Sequence, residues 1–183
     1  MDDLNQANAN LARLKDVRIV YLPPCTVAAS HYVGPEPEWH ADAIMKEFVQ
    51  ASDLCRIKPD LRHFGFNHPN PVGSSPDHGY EMWVTIPDDL VVPAPLVKKH
   101  FAGGLYAAHM IAMGDFHEWQ WLHDWVTQDN PRYEANTLRD GGECMYGLLE
   151  EHLNYINHVN LPESEPEGMQ LDLLYPVKPR VQT

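Results

Sequence analysis

Cysteine is scarce in this chain: Cys25, Cys55 and Cys144 are the only three, far apart and with no CxxC pair. An odd, dispersed set builds neither a disulfide framework nor a zinc ribbon, and it suits a reducing compartment. Long apolar runs are also missing; none approaches the roughly 18 consecutive residues of a membrane helix. The start, Met1-Asp2-Asp3, lacks the basic residues and apolar stretch of a secretory signal. A cytoplasmic protein without membrane contact is expected. Basic residues are few as well, 13 Lys and Arg against 26 Asp and Glu, for a formal net charge of −13. Such a surface repels phosphate, so direct nucleic-acid binding is not expected. The same field attracts cations, or it only keeps the chain soluble.

Several chemical signatures are absent. The eleven histidines include no HExxH or HxH, no Cys lies near a His at ligand spacing, and His117 and His123 are six apart. That excludes a metal site readable from spacing. There is no GxSxG, Cys25 after Pro23-Pro24 has no evident base, and Gly103-Gly104 lacks the lysine of a phosphate loop. No metal, cofactor or nucleophile is expected.

What is present is an internal repeat. Val27-Ala28-Ala29, Gly34 and Trp39 recur as Tyr106-Ala107-Ala108, Gly114 and Trp119, about 80 residues later. Each copy is preceded by a strand-like stretch, at 17–22 and 96–101. A helix follows each glycine. Ala41, Ile44, Phe48, Ala51 and Cys55 make one apolar stripe, with Pro37 suited to the first turn. Phe116, Trp119, Leu122 and Val126 make the other, ending before Pro131, with Trp121 and Trp125 beside it. Two strand candidates close each copy, 63–67 and 80–86 in the first and 148–154 and 169–175 in the second. Aligning Pro87 with Pro176 matches Tyr80, Met82, Val84 and Ile86 to Met169, Leu171, Leu173 and Tyr175, each an apolar strand face. Two βαββ copies, each with a helix on one sheet face, predict one α+β domain spanning residues 16–179. The repeats are expected at about 16–92 and 93–179. Leu4, Ala7, Leu11 and Leu14 predict a short docking helix within 1–15.

Aligning Asn154 with Asn67 matches Phe64 and Phe66 to Glu151 and Leu153. Those positions, with Leu149, are expected to face the helices. Glu150 and His152 then point to the other face, beside Glu81, Trp83 and Asp172. A mid-strand carboxylate walled by aromatics needs a cation, a donor or a proton; on a solvated face it is only a surface charge. A one-residue slip would exchange Glu150 and Glu151. Trp39 and Trp119 are expected in the core, while Trp83, Tyr106, Trp121, Trp125 and Tyr146 are candidates for a binding wall.

The stretch 17–24 with Val27-Ala28-Ala29 and Gly34, then Tyr80-Glu81, Gly103-Gly104-Leu105-Tyr106-Ala107, 119–125 and 173–178, resembles the GyrI-like effector-binding domains. The resemblance covers residues 14–179. It implies tandem βαββ repeats related by a pseudo-twofold axis, an antiparallel sheet with helices on one face, and a ligand cleft between the repeats. It implies binding of small lipophilic, aromatic and often cationic molecules, here without a DNA-binding region, in a family tied to transcription regulation. The family's Glu-x-aromatic strand motif carries the ligand-facing carboxylate to Glu150, with His152 in place of the usual tyrosine. Some relatives resemble hydrolases of cyclopropane-bearing toxins, for which Glu150 with Glu81 or Tyr146 is the candidate set. Modulation of gyrase through protein contact is a further alternative.

Overall fold

The computed structural model describes residues 16–73, 78–138, 144–160 and 168–181. The expected docking helix at 1–15 lies outside the described residues. In chain order the strands of the first half are β1 (Arg18–Leu22), β2 (Cys25–Gly34), β3 (His63–Asn67) and β4 (His78–Ile86). Helix α1 (Pro37–Ala51) and the single turn α2 (Leu54–Ile57) separate β2 from β3. The second half has β5 (Val97–Phe101), β6 (Gly104–Ala112), α3 (Glu118–Asp124), β7 (Tyr133–Ala135), β8 (Leu149–His152), α4 (Tyr155–His158) and β9 (Gln170–Pro179).

The strands form one antiparallel sheet in the order β1-β6-β9-β8-β3-β4-β2-β5, with β7 added along β9. The order contains the repeat twice, as β2-β4-β3 and as β6-β9-β8. The two meet at the β3–β8 seam, where Phe64 pairs with Glu151 and Gly65 with Glu150. The sheet curls into a half-barrel of two βαββ units, as the sequence predicts. The leading strands were not expected to cross over. β1 precedes the first unit but pairs with β6 of the second, and β5 precedes the second but pairs with β2 of the first. The crossings touch at Gly103, whose φ is +71° and where a Cβ would lie 2.3 Å from the Leu22 carbonyl oxygen. Only glycine fits there.

Helix α1 packs Ala41, Met45, Phe48 and Val49 against Met82, Val84 and Ile86. Pro37 occupies its first turn, and the Ser52 hydroxyl donates to the Phe48 carbonyl (2.6 Å) at its end. The expected stripe is corrected here: Ala51 is exposed and Cys55 belongs to α2, because the helix stops at Ala51. Helix α3 buries Leu122, and the wider π-type turn that follows it, Trp125–Asp129, buries Val126; both pack against Leu171, Leu173 and Tyr175. The Asn130 amide closes this turn by donating to the Trp125 and Val126 carbonyls (3.1 and 2.9 Å). The face away from the helices is also enclosed, by Leu22, Phe64, Phe66, Tyr106, Leu149 and Leu174 with Trp83 and Phe101. No helix among the described residues is long and apolar enough to cross a membrane.

Candidate functional site

Paired residues of an antiparallel ladder share a face. Gly65 pairs with Met82 on one side and Glu150 on the other, and Glu150 pairs with Leu173. Glu150 and His152 therefore lie on the helix side of the sheet, in the gap between α1 and α3. This reverses the expected face: Phe64, Phe66, Leu149 and Glu151 point away from the helices. The inversion arose because both faces of β3 are buried, so apolar residues do not tell one from the other.

The gap is a cavity of about 700 Å³. Trp39, Phe116 and Trp119 wall it, and Met82, Met113, Met145 and Met169 add four flexible thioether side chains. Trp39 is 55% exposed at this site and so is not the core residue expected, while Trp119 is half-buried, packing on the second core and facing the cavity as well. Tyr80 reaches across the seam and donates to one oxygen of Glu150 (2.7 Å), while the Trp119 indole donates to the other (3.2 Å). Gly65 makes this possible. A Cβ there would lie 2.4 Å from the Tyr80 hydroxyl oxygen and 2.8 Å from Cε1. Burial pushes the Glu150 carboxyl above its ordinary 4.5; the Tyr80 and Trp119 bonds oppose that rise and Glu38 adds to it. Burial and Glu150 together hold the Tyr80 phenol well above 10. Glu150 has no ion-pair partner among the described residues. The cavity's lysine, Lys46, is paired with Asp42 (2.8 Å). Further along the floor, burial brings His63 down to about 3 and His152 down to about 4, with a neighbouring imidazole and Lys46 adding to each, so both are neutral at about pH 7.

The fold has relatives. The family model described as Cass2, integron-associated effector binding protein, matches residues 18–177. The chain belongs to this family. It lies within the GyrI-like superfamily whose resemblance the sequence carries. The C-terminal domain of EcmrR is 11% identical at a TM-score of 0.59, over 90% of this chain and 98% of that one. An uncharacterized conserved protein from Listeria innocua is 13% identical at 0.60, over 95% and 98%. A hydrolase from Listeria innocua is 12% identical at 0.55, over 94% and 97%. At such identities the likeness is one of fold. No curated protein matches the chain in sequence.

Within this effector-binding fold the other candidates disperse. Trp83 and Glu81 sit on the face away from the cleft, where the Trp83 indole donates to Glu81 (2.6 Å). Glu81 is fully buried and also takes the Lys99 ammonium and His68 (2.8 Å). Burial alone would raise its carboxyl, but the bonds from Lys99, Trp83 and His68 hold it below its ordinary value. His31, His68 and Glu81 bring ligand atoms within 4.8 Å of one another. With Lys99 already on the carboxylate, the group is an ion-pair network and not a built cation site. Tyr106 is buried on that same face, where burial pushes its phenol up to about 12. Trp121 and Trp125 pack on the second core, Trp121 against His109 with ring centroids 4.6 Å apart. Tyr146 lines a neighbouring hollow of about 460 Å³ that shares Trp119 and Met145 with the cleft. Of the sequence candidates, only Glu150 and His152 line the main cavity. The methionines and the Tyr80–Gly65 crossing escaped sequence reasoning. A glycine between two phenylalanines in a strand was the signal for a close approach.

Proposed function

We propose that the chain is a small-molecule binding protein that takes lipophilic aromatic cations into the cleft between its repeats, with Glu150 as counter-charge. One observation carries the reading: Glu150 is half-buried at the cleft on neutral donors alone, Tyr80 and Trp119, and has no cationic partner among the described residues. A carboxylate so placed is stabilised by a ligand's positive charge. Trp39, Phe116 and Trp119 supply ring faces, worth about 0.5–2 kcal/mol to a cation above them. The methionines supply surface that adapts to ligand shape. The −13 charge favours cation entry and supports the further proposal that this chain does not itself hold duplex DNA.

Hydrolysis in the same cleft is the weaker alternative, because its candidate acids are badly placed: Glu81 lies on the other face and Tyr146 in the adjoining hollow. Tetraphenylphosphonium and tetraphenylborate test the proposal, since they match in shape and differ in sign. Calorimetry is expected to show binding of the cation and not of the anion. Equal affinities would remove Glu150 from the account.

A further inference from the structure

Two buried polar side chains at one end of the cleft lack partners. His63 is 5% exposed and Tyr155 is 3% exposed. Neither ring nitrogen of His63, nor the Tyr155 hydroxyl, makes a hydrogen bond among the described residues. The two rings stack with centroids 4.1 Å apart, and His152 stands edge-on to both. His152 Nε2 already meets His158 Nδ1 (3.0 Å), so that pair is satisfied. His63 and Tyr155 line the same cavity as Glu150.

A phenylalanine would stack on Tyr155 as well as His63 does and would leave no nitrogen unbonded. Buried polar groups are nearly always paired, so an orphan histidine beside an orphan phenol in a ligand cleft calls for an outside partner. Their chemistry specifies it. A neutral imidazole offers one N–H and one lone pair, and the phenol offers one O–H. An anion is disfavoured by Glu38, Asp42 and Glu150 around the same cavity. The sheet also sets the spacing. Gly65 stands opposite Glu150, and the same register places His63 opposite His152, two residues further along. Two strand residues span roughly 7 Å.

We infer that the ligand carries, roughly 7 Å from its cationic centre, a neutral group that both donates and accepts hydrogen bonds, such as a carboxamide or hydroxyl, which His63 and Tyr155 bind. The inference rests on the cation reading above and narrows it from any lipophilic cation to a bifunctional one.

The probes are benzyltriphenylphosphonium and the same cation with a carboxamide at the para carbon of its benzyl ring. Calorimetry on the whole chain is expected to show the carboxamide binding about tenfold more tightly, the scale of one buried hydrogen bond. His63→Phe should bring the affinity ratio of the two probes to about one and raise the melting temperature. If His63→Phe does not fold, Tyr155→Phe, which deletes only the orphan hydroxyl, should reduce the advantage severalfold. No advantage in the wild type overturns the proposal. So does a His63→Phe chain that melts lower and loses both probes equally, since the histidine is then structural. Glu150→Gln should weaken both probes by one factor. If it weakens neither, the cation reading fails, while the carboxamide advantage and its loss in His63→Phe still stand or fall separately.

Discussion

Glu150 and Glu151 are chain neighbours on opposite faces of one strand, and their glutamine variants should behave in opposite ways. In Glu150→Gln the shape is kept. The new amide can donate to the Tyr80 oxygen while its carbonyl accepts from Trp119, so both present partners remain satisfied. What is lost is a negative charge that burial disfavours. The folded carboxyl titrates above its ordinary 4.5, so its contribution to stability is fully present below 4.5 and is lost as pH rises through the folded value. The variant should therefore melt higher than wild type at neutral pH, by about 2–4 °C for each kcal/mol recovered. The gap should close toward pH 4. Cation affinity should move the other way. Losing a charged partner costs about 1–3 kcal/mol, or about 5- to 150-fold in dissociation constant. The wild type should also lose affinity as pH falls through the Glu150 value, while the variant stays flat. Glu151 is held by two bonds from Arg62, one of 2.6 Å, on the face away from the cleft. Glu151→Gln should leave cation affinity alone and lower stability by about 1–3 kcal/mol, less than for a fully buried pair because Arg62 keeps access to water. Scanning fluorimetry and calorimetry from pH 4 to 8 read both. A Glu150→Gln chain that melts lower and binds cations as before would refute the reasoning.

Gly65→Ala drives a methyl into the Tyr80 ring and should destabilise by about 1–3 kcal/mol in urea unfolding, weakening cation binding as Tyr80 leaves Glu150. An unchanged midpoint would show that the crossing does not matter. A gel shift at low salt should show no tight duplex binding; a complex that survives added salt would contradict the acidic-surface argument. Mass analysis after long incubation should return a bound aromatic cation, or a cyclopropane-bearing electrophile, chemically unchanged. Gain of one water with wild type and not with Glu150→Gln would make the protein a hydrolase.

Much of the architecture was legible because the repeat is written twice. The apolar sets at Tyr80 to Ile86 and Met169 to Tyr175 face the helices as their alternation requires. Glu150 was found by the same alternation, but not its face. That phase depends on the pairing of Gly65 with Met82, which no single strand's pattern reveals. Tryptophan beside a helix is usually core, and Trp119 does pack on the second one, whereas Trp39 faces the open space between the helices. The His31–His68–Glu81 cluster draws on three separate segments, so no spacing rule could find it. The orphan state of His63 and Tyr155 is likewise a property of what surrounds them and not of their order in the chain.

The exchange of β1 and β5 has a mechanical side. Each unit gives its leading strand to the other, and each exchanged strand is held by a ladder of five residue pairs. Pulling one unit off the other would strip both ladders as well as the β3–β8 seam. The exchange thus opposes widening of the cleft by its backbone, while the contour of its lining can yield through the rotamers of Met82, Met113, Met145 and Met169. If the proposed ligands bind there, the cleft should sort them by thickness and be lenient about outline.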